Sequence, residues 1–279
     1  MSKPQTIAAG VESFAARTPT LPPATHTQSY ALGEREVILV EPATPFEDER
    51  REWLGWAREL ESTGRRPIAL FLTHHHADHA GGAEFFAREL GLPLWAHALT
   101  AERLSNVRVD RRLEDGEALT LQGPTPQAWE VLHTPGHAPG HLCLFERRLS
   151  MLLVGDMVAS EGTILVAPGD GDMRQYLAQL ERLEGLGAKV ALPAHGGPIH
   201  DPGQLFSYYV AHRKMREDKV LGAVRRTPGS SAEELLPLVY DDTPKAAWPW
   251  ALMSLRAHLD KLISEGVVED QGERFSAAS

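Results

Sequence analysis

Cysteine is nearly missing from this chain. Among 279 residues only Cys143 carries a thiol, so no internal disulfide can form and a cross-linked secreted scaffold is excluded. Any transition metal would have to be held by imidazole and carboxylate rather than thiolate. Positive charge is also short. Lys plus Arg number 28 against 38 Asp plus Glu, a formal net charge of -10, which excludes a uniformly basic nucleic-acid coat while leaving room for a local basic groove. No stretch reaches the ~18 apolar residues of a membrane span. Residues 1–28 hold Pro4, Pro19, Pro22 and Pro23 among small and polar side chains. They lack the continuous apolar centre of a signal peptide and read as an irregular N-terminal arm on a soluble, cytoplasmic protein. Fixed-period repeats and low-complexity tracts are absent too. What the chain does hold is 13 histidines, spread over a length close to two domains at ~150 residues each.

Beyond the arm, short apolar runs alternate with helical patterns. Glu36–Val40 reads as a strand, and 46–61 as a charged helix with Trp53, Leu54, Ala57 and Leu60 on one face. The run 68–72 is apolar enough for a strand buried on both sides. A short helix follows over 82–90, then strands near 94–96, 129–132, 141–145 and 149–154, a helix over 172–183 and a last strand over 189–192. This mixture predicts an α/β or α+β domain over residues 29–204. From 205 to 279 the pattern turns helical: 204–224, 232–240 and 246–264, the last with Leu252, Leu255, Leu259, Leu262 and Ile263 as one apolar stripe. A small hairpin over 267–275 completes the outline of a winged-helix-like C-terminal domain, classed as all-α apart from that hairpin.

The strongest chemical signal is Thr73-His74-His75-His76-Ala77-Asp78-His79, which begins where the strand at 68–72 stops. His74 and His76 are two residues apart, so an extended backbone points both to one side and His75 away. Asp78 and His79 come from the turn into the next helix. Three other segments share this strand-then-ligand layout: His133-Thr-Pro-Gly-His137, Gly155-Asp156 and Pro193-Ala-His195-Gly196. Ligands placed after strand ends sit on loops held by a rigid scaffold, where active sites collect.

His-x-His-x-Asp-His, Thr-Pro-Gly-His, Gly-Asp and Pro-x-His-Gly in this order resemble the metallo-β-lactamase superfamily over residues 30–200. The resemblance implies an α+β fold, the αβ/βα four-layer sandwich, with two divalent metal ions at one sheet edge. Carried over, His74, His76 and His137 would hold the first metal, Asp78, His79 and His195 the second, and Asp156 would bridge them. Several true β-lactamases have cysteine at the bridging position, so Asp156 aligns the chain with glyoxalase II, RNase Z and their relatives. The stretch after Asp156 through Glu161-Gly162-Thr163, the segment His212-Arg213-Lys-Met-Arg216-Glu217, and Val239-Tyr-Asp-Asp-Thr-Pro244 are similar to the β-lactamase-like protein 2 family. That family includes a single-strand-specific endoribonuclease, and related fungal enzymes release polyketides from carrier-protein thioesters.

The ligand set implies a hydrolase that uses a hydroxide shared between two metals, with zinc best suited and manganese or iron compatible. Asp78 would ligate and also orient the nucleophile. The first expected substrate is a phosphodiester in single-stranded RNA; the alternative is an acyl thioester or ester on a carrier or coenzyme A. Rivals are a catalytically dead nucleic-acid-binding regulator and a mononuclear iron oxidase or dioxygenase. Complete ligand positions weigh against both. His133 and His141 read as supports for neighbouring ligands, with substrate contact the alternative; His212 either reaches the metal cleft or packs beside it. Cys143, between Leu142 and Leu144, reads as a buried inert thiol. In the last helix Arg256 and Lys261 face Asp260 and Glu265, so the tail reads as a packing, dimerisation or substrate-channel element. Sequence-specific DNA binding is not expected, and a homodimer is compatible.

Overall fold

The computed structural model describes residues 4–278 and divides into two compact units. The first takes the chain up to Thr134 together with Gly140–Thr163 and Gly187–Pro202. Its first sheet runs in chain order: β1 (Gln5–Ala8), β2 (Val11–Arg17), β3 (His26–Leu32), β4 (Glu36–Val40), β5 (Arg66–Phe71), β6 (Leu94–His97) and β7 (Arg111–Leu113). Strands β1 to β4 pair antiparallel and β4 to β7 parallel. Between them lie α1 (Glu47–Ser62), α2 (Ala77–Ala80), α3 (Ala83–Leu90) and α4 (Ala98–Arg103). The second sheet has the order β13-β12-β11-β10-β9-β8. Its strands are β8 (Ala118–Leu121), β9 (Gln127–His133), β10 (Leu142–Glu146), β11 (Met151–Gly155), β12 (Val190–Pro193) and β13 (Ile199–His200). Only β11 and β12 pair parallel there.

Alternation along the strands decides what covers each face. Val37, Leu39, Leu70 and Leu72 meet Trp53, Trp56 and Leu60 of α1 and Phe86 of α3. Ile38, Val40 and Phe71 face the other way, into a core shared with Trp129, Val131, Leu144 and Leu153 of the second sheet. The strand expected at 68–72 is therefore buried on both faces. Trp53, fully buried, also donates its indole N–H to Ser29 Oγ at 2.8 Å, so its polar atom keeps a partner on burial.

The irregular arm needs correction. Its first three residues lie outside the described ones, but Gln5 onward builds β1, β2 and the start of β3. In β2, Val11, Ser13, Phe14 and Ala16 are buried, and a full ladder to β3 runs from Val11↔Leu32 to Arg17↔His26. Small residues at Ala15 and Ala16 blur the period-2 pattern, so the hydrogen-bonded ladder, rather than side-chain hydrophobicity, defines this strand.

The second unit comprises Pro135–Pro139, Ile164–Leu186 and the chain from Gly203 onward. It holds α5 (Met173–Glu184), α6 (Gly203–Arg226), α7 (Ala232–Val239), α8 (Trp248–Ser264) and the hairpin β14 (Val268–Asp270) and β15 (Phe275–Ala277). The small hairpin expected over 267–275 is present as this antiparallel pair. Leu235, Leu255, Leu259 and Phe275 share one core. A capping box, Ser231 with Glu234, starts α7. A single cut after residue 204 does not describe this unit, because α5 packs against α6 and α8 and brings two earlier segments with it. No helix among the described residues is long and apolar enough to cross a membrane.

Candidate metal centre

Four chain segments in the first unit end their strands at one place. The parallel strands β4 and β5 deliver Glu41 and Thr73–His79, and β11 and β12 deliver Asp156 and His195. Backbone bonds tie the sheets together at this edge, Leu142 N–H to Thr73 O at 2.9 Å and Gln28 N–H to Ala194 O at 2.8 Å, while Ala194 N–H to Gly155 O at 3.1 Å joins the ends of β12 and β11. Tyr30 of β3 adds its hydroxyl, donated to Pro193 O at 2.7 Å.

The ligand atoms converge. One nitrogen or oxygen from each of His74, His79 and Asp156 lies within 4.8 Å of the others, and the same holds for Asp78, His79 and His195. His74 Nε2 stands 2.9 Å from His76 Nδ1. His195 Nε2 is 3.4 Å from Asp156 Oδ1 and 3.6 Å from Asp78 Oδ2, while His79 Nε2 is 3.6 Å from Asp156 Oδ2. Six of the seven expected ligands thus share one site in this unit. His137 belongs to the second unit, where its Nδ1 meets Leu165 O at 2.8 Å.

Neither ring nitrogen of the fully buried His79 completes a hydrogen bond of good geometry. Buried polar atoms are ordinarily satisfied, and an imidazole–carboxylate donor set of this kind suits a divalent cation. The residues fit the group that the motifs imply. Electrostatics agree. Burial opposes charge on His79, but Asp156, Glu41 and Asp78 outweigh it and hold the imidazole well above its usual range. His195 is raised too, burial being outweighed by Asp156. Burial likewise opposes the Asp156 carboxylate, yet His195 and His79 keep it well below the usual range.

Sequence reasoning missed Glu41. It is 1% exposed, sits 3.2 Å from His79 Nδ1, and accepts a hydrogen bond from Thr73 Oγ1. Its backbone occupies the left-handed region, φ 54°, a conformation that costs a non-glycine residue of order 1–3 kcal/mol. The available signal was the layout shared with the other ligands, an acidic residue directly after an apolar strand. Thr73 also accepts from His74 Nδ1 at 2.9 Å.

The remaining singled-out residues separate cleanly. His141 is buried and its Nε2 accepts the Asp156 backbone N–H at 3.1 Å, the support role expected of it. Gly155 must stay glycine beside it: φ is 49°, and an added Cβ would meet His141 Nε2 at 2.6 Å. His133 stacks on His97 at 4.1 Å. His75 belongs to neither triplet above. Cys143 is buried against Thr134 Oγ1 at 3.3 Å. In the second unit His212 stacks on Tyr208 at 6.1 Å, and Glu161, Gly162 and Thr163 of the first are exposed.

Two outcomes follow for this centre. Glu41→Gln removes the charge that faces His79 while keeping its shape, and should weaken divalent-cation affinity about 10- to 100-fold in chelator competition; unchanged affinity would remove Glu41 from the site. The raised values of His79 and His195 contribute stability that is present below the unfolded imidazole range and lost as pH rises through the folded values. The melting temperature of the metal-free protein should therefore fall as pH rises above about 6.5, the ordinary imidazole value. Saturating cation requires neutral imidazoles, so its stabilising increment should grow over the same range. An increment that shrinks with rising pH would contradict this assignment.

Comparison with known proteins agrees with the geometry. Residues 22–195 match the family model described as metallo-beta-lactamase superfamily, and residues 231–276 that of the beta-lactamase associated winged helix domain. A beta-lactamase-like protein 2 homolog from Caenorhabditis elegans is 27% identical over 249 residues, 88% of this chain and 81% of its own. An atrochrysone carboxyl ACP thioesterase from Aspergillus fumigatus is 27% identical over 71% of this chain and 60% of its own. A crystal structure of a metallo-beta-lactamase family protein from Thermus thermophilus superposes with a TM-score of 0.80 at 26% identity, covering 98% of this chain and 100% of that one. With the strand ends that carry this His and Asp cluster matched inside that family model, the chain belongs to the metallo-beta-lactamase superfamily of hydrolases.

Proposed function

We propose that the chain hydrolyses acyl thioesters at a dinuclear centre. His74, His76 and His137 would hold one divalent cation, Asp78, His79 and His195 the other, and Asp156 would lie between them. When bound, the cations supply Lewis acidity, which brings the pKa of water toward neutrality and offsets charge at the attacked carbonyl. The chain's own contribution is orientation. His195 Nδ1 is set 3.2 Å from His26 O, Glu41 faces His79, and His141 holds the backbone of Asp156. Asp78 is the least enclosed of the inner carboxylates, its side chain 17% exposed against 9% for Asp156. It is the group placed to orient an incoming water and to take a proton at a carboxylate oxygen.

The observation that carries the substrate choice is where the basic side chains go. Lys219 binds Asp241 and Asp242 at 3.0 Å, Lys214 binds Glu181 at 3.0 Å, and Arg256 binds Glu233 at 2.7 Å. Lys261 binds Glu217 at 2.7 Å, Arg111 binds Glu117 at 2.8 Å, and Arg147 binds Glu130 at 2.7 Å. An RNA backbone would compete with each of these carboxylates for its cation, whereas nucleic-acid grooves leave such groups free for phosphate. The thioesterase named among the relatives supports the same reading. Single-stranded RNA, the first substrate expected from the sequence, becomes the competing outcome.

The protein loaded with zinc or manganese should release thiol from an acyl-coenzyme A or acyl-pantetheine substrate, and Asp78→Ala should lower kcat/KM at least about 100-fold. Cleavage of single-stranded RNA that Asp78→Ala abolishes, with thioesters untouched by either form, would overturn the reading.

A further inference from the structure

The ligands of the first unit are oriented by groups of the two sheets. His137 is oriented by the second unit. Its loop lies on the start of α5: Gly136 has φ 134°, an added Cβ there would meet Tyr176 N at 2.2 Å, and Gly136 O accepts the Asp172 N–H at 2.8 Å. His137 Nδ1 then meets Leu165 O at 2.8 Å. A carbonyl only accepts, so Nδ1 carries the proton and Nε2 keeps the lone pair that a metal needs.

Leu165 belongs to a strap whose neighbours Ile164 and Val166 are 2% and 0% exposed. Ile164 O accepts a hydrogen bond from Arg213 Nη2 on α6. The same guanidinium lies over the Tyr176 ring, 5.6 Å from its centroid. Arg213 is 4% exposed, makes no ion pair among the described residues, and leaves its Nε without a hydrogen-bond partner. The buried stripe of α6 around it is otherwise Phe206, Tyr209, Val220, Ala223 and Val224, with Arg216 paired to Asp242 at 2.7 Å. Burying a cation without a counter-charge is unfavourable, and an apolar side chain would complete the stripe at lower cost. Packing does not account for an arginine here; the carbonyl of the strap does.

We infer that Arg213 is a positioning residue for His137. By fixing the Ile164–Leu165 strap it keeps Leu165 O on His137 Nδ1. The inference rests on the reading of His137 as a metal ligand. The test measures zinc affinity of the full chain by chelator competition for the native protein, His137→Ala, Arg213→Leu and Arg213→Lys. His137→Ala should lose the tight binding of one ion. Arg213→Leu should weaken that same ion about 10-fold without lowering the melting temperature of the metal-free protein, and Arg213→Lys, which still donates one hydrogen bond, should recover most of the loss. Native affinity in Arg213→Leu beside a defective His137→Ala overturns the positioning role alone. Native affinity in His137→Ala overturns the ligand reading beneath it. Should Arg213→Leu fail to fold, long-range nitrogen–proton spectra of the native metal-free protein decide: a His137 protonated at Nδ1 supports the inference, and one protonated at Nε2 overturns it.

Discussion

Several buried imidazoles must all offer a chosen nitrogen to one small volume, and that tautomer constraint organises the rest of the structure. A neutral imidazole has one protonated and one free nitrogen, and a hydrogen bond at one end decides the other. Thr73 donates to Glu41 and so presents its lone pair to His74 Nδ1. Glu41 faces His79 Nδ1, and His26 O faces His195 Nδ1. The partner carboxylate is itself fixed: Glu41 N–H donates to Phe71 O at 2.9 Å, and its carbonyl accepts from Ser29 Oγ at 2.5 Å. The strained backbone at Glu41 persists because bonds on both sides hold it.

The sheets explain why such a cluster can exist at all. Buried carboxylates and imidazoles lose hydration that only paired charge or a metal can replace. Strands buried on both faces provide a frame stiff enough to keep these groups together, and the backbone bonds between β3, β5, β10, β11 and β12 close the edge beneath them. Asp156 is set by its own N–H on His141 Nε2, so its place is fixed through the main chain as well as through its charged neighbours.

Much of this was legible in the residues. The strands at 36–40 and 68–72 and the helices near 46–61, 172–183 and 246–264 follow from period and spacing, which short-range physics sets, whereas the full set of candidate ligands came from the family resemblance of the motifs. What stayed hidden depends on partners distant in sequence. Strand β2 exists through its ladder with β3, and β8 through its pairing with β9. Glu41 is one acidic residue in an acidic chain until Thr73 and His79 arrive beside it. Arg213 looks like surface charge in a basic run, because Lys214 next to it is indeed exposed and paired with Glu181. Its burial against Ile164 and Tyr176 is a tertiary fact with no local signal.

Anomalous diffraction at the absorption edge of the bound metal tests the central claim most directly. The account predicts density within about 2 Å of the free nitrogens of His79 and His195 and of a carboxylate oxygen of Asp156, with a second peak beside His74 and His76. After saturation with zinc or manganese, ordered metal elsewhere and none within reach of His79 would contradict it.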